Sequence, residues 1–534
     1  MAYFSLHAYD ADVWIPEFKG LRQQDESLNT DVRFATEVLN VETPNGVLQP
    51  HAGYATVGND FPGRVETLAR FYRRWYDGTG SKYWMICASG GKLYYHQEGT
   101  DLGWFEIPMP TGVTSYASNV WSWCTYEINV QTVDHPIDVM LLSNAEDGMI
   151  MVTPPDKPRT WGDIAEYTWG DLANMTWGDV MSPVWATEVI DTKGKKFGII
   201  ERYAERIWGG AIPGDPDMLV YSAPYDPTDW EANAEIPEDG AGSIQQPSWD
   251  GDSFTALRAF GNQLIAFKEH KVWRVYGTNP GEFVFTEQYG GGAPFFNTIA
   301  VDVERIFMTD VNGLSVYDGM SVTPYQRELI EKLWRGVNKS AMDQMCAALF
   351  QDRYYLAVPM GTSTVNNALV VLDMKEGTIL YYDDLPIESM LGTPESIYAT
   401  SSSLPGKVLL LKYDSWVNGQ ASGGKTKWVS PWMDFGYKRI QKGGFDLYIV
   451  PEVQNDPVTL TISVQTEKKT KTKNYIIQPL TAAQRTAHKE HKGKRLHFGG
   501  SGRRFRVVIE TAEGVTAPWR LIGGIQMVVE TDPD

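Results

Sequence analysis

Residues 263–277, QLIAFKEHKVWRVYG, and residues 305–319, RIFMTDVNGLSVYDG, share one grammar. Each opens with a run of β-branched, aromatic or large apolar residues, passes a polar turn, and closes on a second strand-like run ending in Tyr-Gly or Tyr-Asp-Gly. Two such hairpins about forty residues apart predict radially repeated antiparallel sheets, since one four-stranded sheet needs a neighbour to cover its apolar face. The expected main body is β-propeller-like.

The same beat recurs on either side. Upstream lie YWMICASGGKLYYHQ from Tyr83 and DVMLLSNAEDGMIMV from Asp138, and downstream RYYLAVP from Arg353, NALVVLDMKEGTILYY from Asn367 and KVLLLKYDSW from Lys407. The turn spacing suits five to seven blades, except for one long gap between Gly148 and Glu269 that must hold a further blade and an insertion. A pair of β-sandwiches would also show evenly spaced hairpins and is the alternative.

The chain has 534 residues, 12% of them aromatic, with 50 Gly, which favours strands and turns and allows two or three domains. Charge divides it. The formal net charge is −20, yet residues 465–506 carry 12 Lys or Arg against 2 Asp or Glu. So acidic a body repels a DNA backbone, which argues against sequence-specific DNA binding by it. Cys87, Cys124 and Cys346 form no metal-ligand pattern, and Cys87 within YWMICAS reads as a buried thiol. No basic start with an apolar core and no apolar run of eighteen residues occurs, so the expectation is a protein made and kept reduced in the cytoplasm, with no membrane partner.

Three units are expected. Residues 1–60 read as an extended polar arm, with turns at Pro44-Asn45-Gly46 and Pro50 to Gly53. Residues 61–425 form the main body. Within it, TWGDIAEY, TWGDLANM and TWGDVMSP (160–183) place Trp161, Trp169 and Trp177 in register at a period of eight, a possible aromatic platform or a self-packed insertion. The segment TPYQRELIEKLWRGV reads as a short helix with Leu329, Ile330, Leu333 and Trp334 on one face. Residues 426–534 form a C-terminal β-sandwich from GFDLYIV, VTLTISVQT, RFRVVIE and IGGIQMVVE. Between those strands runs a long basic loop.

That loop supplies the candidate partner-docking residues Lys468, Lys469, Lys471, Lys473, Arg485, Lys489, Lys492, Lys494 and Arg495, whose charge suits an acidic partner. Its plain reading is a solvated loop. His488, His491 and His497 lack the cysteine or spaced carboxylate that would complete a metal site. Asp226, Asp229, Glu231 and Asp250 are acids of one long Pro-rich loop with no fixed spacing for glycoside hydrolysis. With no nucleophile motif either, the sequence reads as non-enzymatic, with no catalytic residue, no cofactor and no metal.

Three sets of residues together resemble a family: GLRQQDESL (20–28) with NVETPNGVLQPHAGY (40–54), KVWRVYG (271–277) with DVNGLSVYDG (310–319), and SPWMDFG (430–436) with RFRVVIE (504–510) and PWRLIGGI (518–525). They are similar to the tail nozzle proteins of tailed bacteriophages, also described as tail tubular or packaged-DNA stabilisation proteins. The TWGD repeat departs from that pattern. The resemblance implies a virion tail component assembled in the host cytoplasm: a structural ring, a homo-hexamer below the portal and adaptor and above distal tail proteins. Double-stranded DNA would pass nonspecifically through its lumen and be retained or released there. A receptor-binding lectin-like tail protein and a glycan-degrading tail enzyme are the alternatives.

Overall fold

A computed structural model describes residues 9–22, 31–75, 80–129, 136–155, 185–245, 252–436, 442–481 and 493–531. The described chain is almost wholly β, and Arg327–Trp334 is its one α-helix of two turns or more. Among the described residues, seven four-stranded antiparallel sheets follow one another along the chain. Their first strands are Val65–Trp75, Ser122–Asn129, Ile199–Tyr203, Phe254–Phe260, Ala300–Val301, Cys346–Phe350 and Ile387–Gly392. The long gap that the sequence left between Gly148 and Glu269 holds the third sheet, Ile199–Gln245. The TWGD repeats lie outside the described residues.

The two stretches that set the reading form the hairpins expected of them. Gln263–Lys268 pairs with Val272–Tyr276, and Ile306–Asp310 with Gly313–Tyr317. In the second, the Asn312 N–H donates to Asp310 Oδ1 at 2.6 Å, an Asx-type bond that holds the tight turn. Gly313 takes φ +132°, where a side chain would be strained.

The seventh sheet has only three strands from its own stretch. Its fourth, Tyr54–Val57, comes from the other end of the chain and pairs antiparallel with Leu404–Leu411, from Val57 opposite Val408 to Tyr54 opposite Leu411. First strands of neighbouring sheets lie side by side, among them Ser122–Asn129 against Ile199–Tyr203, Cys346–Phe350 against Ile387–Gly392, and Ile387–Gly392 against Val65–Trp75. Most gaps between sheets have their own apolar cluster, while the gap between the fifth and sixth, with Phe307, Leu314, Tyr354 and Leu356, belongs to a larger cluster shared with the C-terminal unit. Phe71, Trp84 and Met140 fill the first, Trp208, Leu257 and Leu264 the third, and Leu68, Cys87, Leu391 and Val408 the one joining the seventh sheet to the first.

This corrects the expectation of a β-propeller. None of the ten sheets among the described residues is closed into a barrel or a propeller ring: each is an open ladder ending in two edge strands. The hairpin period fixes pairing inside a sheet, where backbone groups must find partners, and is silent about closure.

The described parts of the polar arm are drawn into the sheets. Tyr9–Ile15 is an edge strand beside Trp519–Thr531, Glu37–Leu39 an edge strand beside Lys427–Val429, and Tyr54–Val57 belongs to the seventh sheet. The arm looks polar because an edge strand is apolar on one side at most; in Tyr54–Val57 no residue is fully buried.

The C-terminal unit has two sheets. One orders Tyr9–Ile15, Trp519–Thr531, Lys442–Val453 and Lys494–Gly502; the other Glu37–Leu39, Lys427–Val429, Phe505–Glu510, Val458–Thr466 and Thr470–Ile477. They share a core of alternating residues, with Phe445, Leu447 and Ile449 in one and Leu460, Ile462, Val507 and Ile509 in the other. The same cluster runs into the fifth and sixth sheets through Phe18, Leu21 and the helix residues Ile330 and Leu333. The helix buries the four residues expected, Leu329, Ile330, Leu333 and Trp334, and Arg327 pins its start by donating from Nη2 to Asp310 Oδ2 at 2.6 Å.

Candidate functional site

The basic stretch is not one loop. Thr470–Ile477 and Lys494–Gly502 are strands, each at the edge of one of the two C-terminal sheets. TKTKNYII escaped notice because almost every residue of it is exposed, so no apolar period marks it. The strands approach each other: Lys473 Nζ sits 5.6 Å from the Phe498 ring centre and Lys494 Nζ 5.7 Å from that of Tyr475.

Six of the nine docking residues therefore gather along one margin. Lys468 and Lys469 sit at the hairpin tip, where the Lys469 N–H donates to Thr466 Oγ1 at 3.0 Å. Lys471 and Lys473 lie opposite Val464 and Ile462 in register, on the core-facing side of the ladder. Cations so placed hold an edge strand against pairing with another copy, and their stems cover the apolar rim. Arg495 pairs with Asp446 at 2.5 Å, and His497 Nδ1 lies 3.0 Å from the other oxygen of that carboxylate. The Arg495 bond, ahead of the His497 bond, holds the Asp446 carboxyl below its ordinary range. His497 is thus engaged by a carboxylate. Arg485, Lys489, Lys492, His488 and His491 lie outside the described residues, as do Trp161, Trp169 and Trp177.

The loop acids cap turns. Asp226 Oδ1 accepts from Thr228 N–H at 2.8 Å, Asp229 Oδ1 from Glu231 N–H at 2.9 Å, and Glu231 pairs with Lys193 at 2.6 Å. Asp250 falls outside the described residues. Among the described residues one cluster has the spacing of metal ligands, Asp252, Glu269 and His270. Both Asp252 oxygens already accept backbone N–H groups there, from Glu269 at 2.9 Å and His270 at 3.0 Å, which accounts for the carboxylate as a turn anchor. The three cysteines are free and buried, and burial pushes each thiol up.

Two features were not legible in the sequence. The first is a buried polar knot between the N-terminal segment and the sixth sheet. His51 Nε2 lies 2.7 Å from Asp384 Oδ2, and its ring stacks on Tyr382 with centres 4.3 Å apart. Arg353 lies 3.8 Å from Glu42 and 3.0 Å from Asp373. Burial pulls His51 down, but the charge and hydrogen bond of Asp384 outweigh it, and its pKa ends raised.

The second is a central cavity of about 650 Å³, to which the first strand of every one of the seven sheets contributes. Its lining includes Leu68, Trp123, Glu201, Arg258, Val301, Leu349 and Met390. Arg258 Nη1 donates to the Leu257 carbonyl at 2.8 Å, and the guanidinium carbon lies 4.9 Å from the Phe296 ring centre.

No family model matches the chain, and no curated protein matches it. No matching relative carries the bacteriophage tail family that the sequence resembles, which corrects that resemblance to one of sequence pattern alone. Two solved structures are distantly similar. The Neurospora crassa Pan2 WD40 domain is 11% identical over 68% of this chain and 96% of its own, with a TM-score of 0.33. The extracellular domain of a putative one-component system from B. thetaiotaomicron is 9% identical over 92% of this chain and 62% of its own, with a TM-score of 0.38. Both are too far from this chain in shape to carry an argument about its function. Among the described residues no helix is long and apolar enough to cross a membrane.

Proposed function

We propose that the protein is a non-enzymatic structural subunit that docks on an acidic partner through the basic margin of its C-terminal unit. The setting is the one its sequence resembles, a bacteriophage tail nozzle ring. The observation that carries the docking role is the convergence of Lys468, Lys469, Lys471, Lys473, Lys494 and Arg495 on two adjoining edge strands. Six cations on one margin of a chain with net charge −20 make a local field of sign opposite to the body, which steers and orients an acidic surface.

In that setting the subunits form a homo-hexamer below the portal and adaptor and above distal tail proteins, and DNA passes through the lumen nonspecifically. Acids toward the channel and the basic margin away from it would let phosphates slide without sticking. The ring belongs to the virion tail and is assembled in the host cytoplasm.

The test is incorporation. Replacing Lys468, Lys469, Lys471 and Lys473 by Glu should leave a folded subunit that no longer enters the assembled particle. Normal incorporation of that variant would overturn the docking role, and a reconstruction placing the protein on a side fibre, or a ring lumen lined by the basic margin, would overturn the nozzle setting.

A further inference from the structure

The central cavity has features that a structural subunit does not need. It is set by seven elements far apart in sequence, and its volume of about 650 Å³ falls in the range of small-molecule sites, roughly 300–1,000 Å³. Its walls are divided about evenly between polar and apolar surface, and the apolar part includes Leu68, Trp121, Trp123, Phe296, Met390 and Leu391. Into this setting the fourth sheet brings Arg258 and the third brings Glu201.

The two side chains do not touch. No ion pair within 4.0 Å joins them among the described residues, although each feels the charge of the other. Glu201 is satisfied locally: its Oε1 accepts the Arg202 N–H at 3.1 Å, and the Ala259 N–H also bonds to it. Arg258 is oriented from one side by the Leu257 carbonyl and flanked by the Phe296 ring. A guanidinium has five N–H donors, and the single bond to Leu257 leaves a fork at the cavity wall. Such a fork matches the two oxygens of a carboxylate, and an aromatic neighbour keeps it in place before a ligand arrives.

We propose that this cavity binds a small monocarboxylic acid with an apolar body, its carboxylate held by Arg258 and its body against the aromatic and aliphatic wall. Glu201, Glu66 and Arg202 also lie on the lining, but Arg202 is engaged by Glu205 at 2.8 Å, so Arg258 is the arginine left for a ligand; a single negative group suits it, and a dianion such as phosphate meets two carboxyls. The site is independent of the docking margin, which lies on the C-terminal unit.

The test compares 4-phenylbutyrate with its uncharged amide and with inorganic phosphate, by calorimetric titration of the full chain. The acid is expected to saturate one site per chain, with the amide and phosphate each bound at least about tenfold more weakly, because the half-buried Arg258 fork finds no charged partner in the amide and meets excess negative charge in phosphate. Arg258→Met should lose the preference for acid over amide, while Glu201→Gln should keep the acid and admit phosphate more readily. Equal binding of acid and amide by the unaltered protein overturns the proposal without any variant, as does the absence of saturable binding at millimolar acid. Retained preference in a folded Arg258→Met protein overturns it too, and Arg258→Lys, which keeps the charge and loses the fork, should fall between the two.

Discussion

His51 Nε2 lies 2.7 Å from Asp384 Oδ2 across 333 residues of chain, and the imidazole stacks on Tyr382. The contact fastens the N-terminal segment, just before the strand Tyr54–Val57, to the end of the sixth sheet. It also makes that fastening sensitive to pH.

Burial lowers the His51 pKa, the Asp384 charge and hydrogen bond raise it further than burial lowers it, and the net shift is upward. Burial raises Asp384, the His51 charge and hydrogen bond outweigh that, and the net shift is downward. A raised histidine contributes fully below its unfolded pKa and loses the contribution as pH rises through the folded value. A lowered aspartate contributes fully above its unfolded pKa and loses it as pH falls through the folded value. The pair therefore stabilises most between about pH 4 and 6.5, the two unfolded values. Asp384→Asn should cost about 3 kcal/mol in that window, for a partner left buried and unpaired, and less on either side. Thermal unfolding of the variant and the parent at pH 3, 5.5 and 9 checks it; a difference that does not vary with pH would refute the charge pair.

Gly392 closes the first strand of the seventh sheet where it crosses the sixth. A Cβ there would meet the Leu349 carbonyl oxygen at 1.8 Å, a backbone atom that cannot swing aside. Gly392→Ala should force the two sheets apart and cost about 1–3 kcal/mol. Gly499, where an added Cβ would meet nothing within 4 Å, is the control and should tolerate alanine with little change. Denaturant titration of both variants reads the difference.

Lys471 and Lys473 occupy the core-facing side of an edge strand, opposite Val464 and Ile462. Lys471→Val with Lys473→Ile would turn TKTKNYII into an alternating apolar strand with an unguarded edge. The double variant should self-associate at concentrations where the parent does not, as unprotected edges template pairing. Sedimentation velocity distinguishes the two, and unchanged sedimentation would leave these lysines without the guarding role.

Cys87, Cys124 and Cys346 are packed in three different clusters between sheets. With each thiol pushed up by burial, a thiol reagent at neutral pH should label none of the three in the native protein and all three after unfolding. Rapid native labelling of one would mark a gap between sheets that opens readily.

Local pairing was legible in the chain itself. QLIAFKEHKVWRVYG and RIFMTDVNGLSVYDG carry both strands and the turn between them, because a hairpin needs only alternation and a residue that accepts the turn geometry. The helix at Arg327–Trp334 was equally visible, since its apolar face follows a 3.6-residue period. The edge strands Tyr9–Ile15, Tyr54–Val57 and Thr470–Ile477 were not, since a strand paired on one side and wet on the other needs little apolar pattern.

The sequence by itself therefore determined a β-rich chain of repeated hairpins, an acidic body and a basic segment near the C-terminus, all properties of neighbours in the chain. Only the tertiary structure decided the rest. It brought Tyr54–Val57 to Leu404–Leu411, His51 to Asp384, Lys473 to Phe498, and Glu201 and Arg258 to one cavity. Those meetings depend on which apolar faces cover each other and which backbone edges remain to be paired. Such choices are made by the whole chain at once, and residues hundreds of positions apart carry no local mark of them.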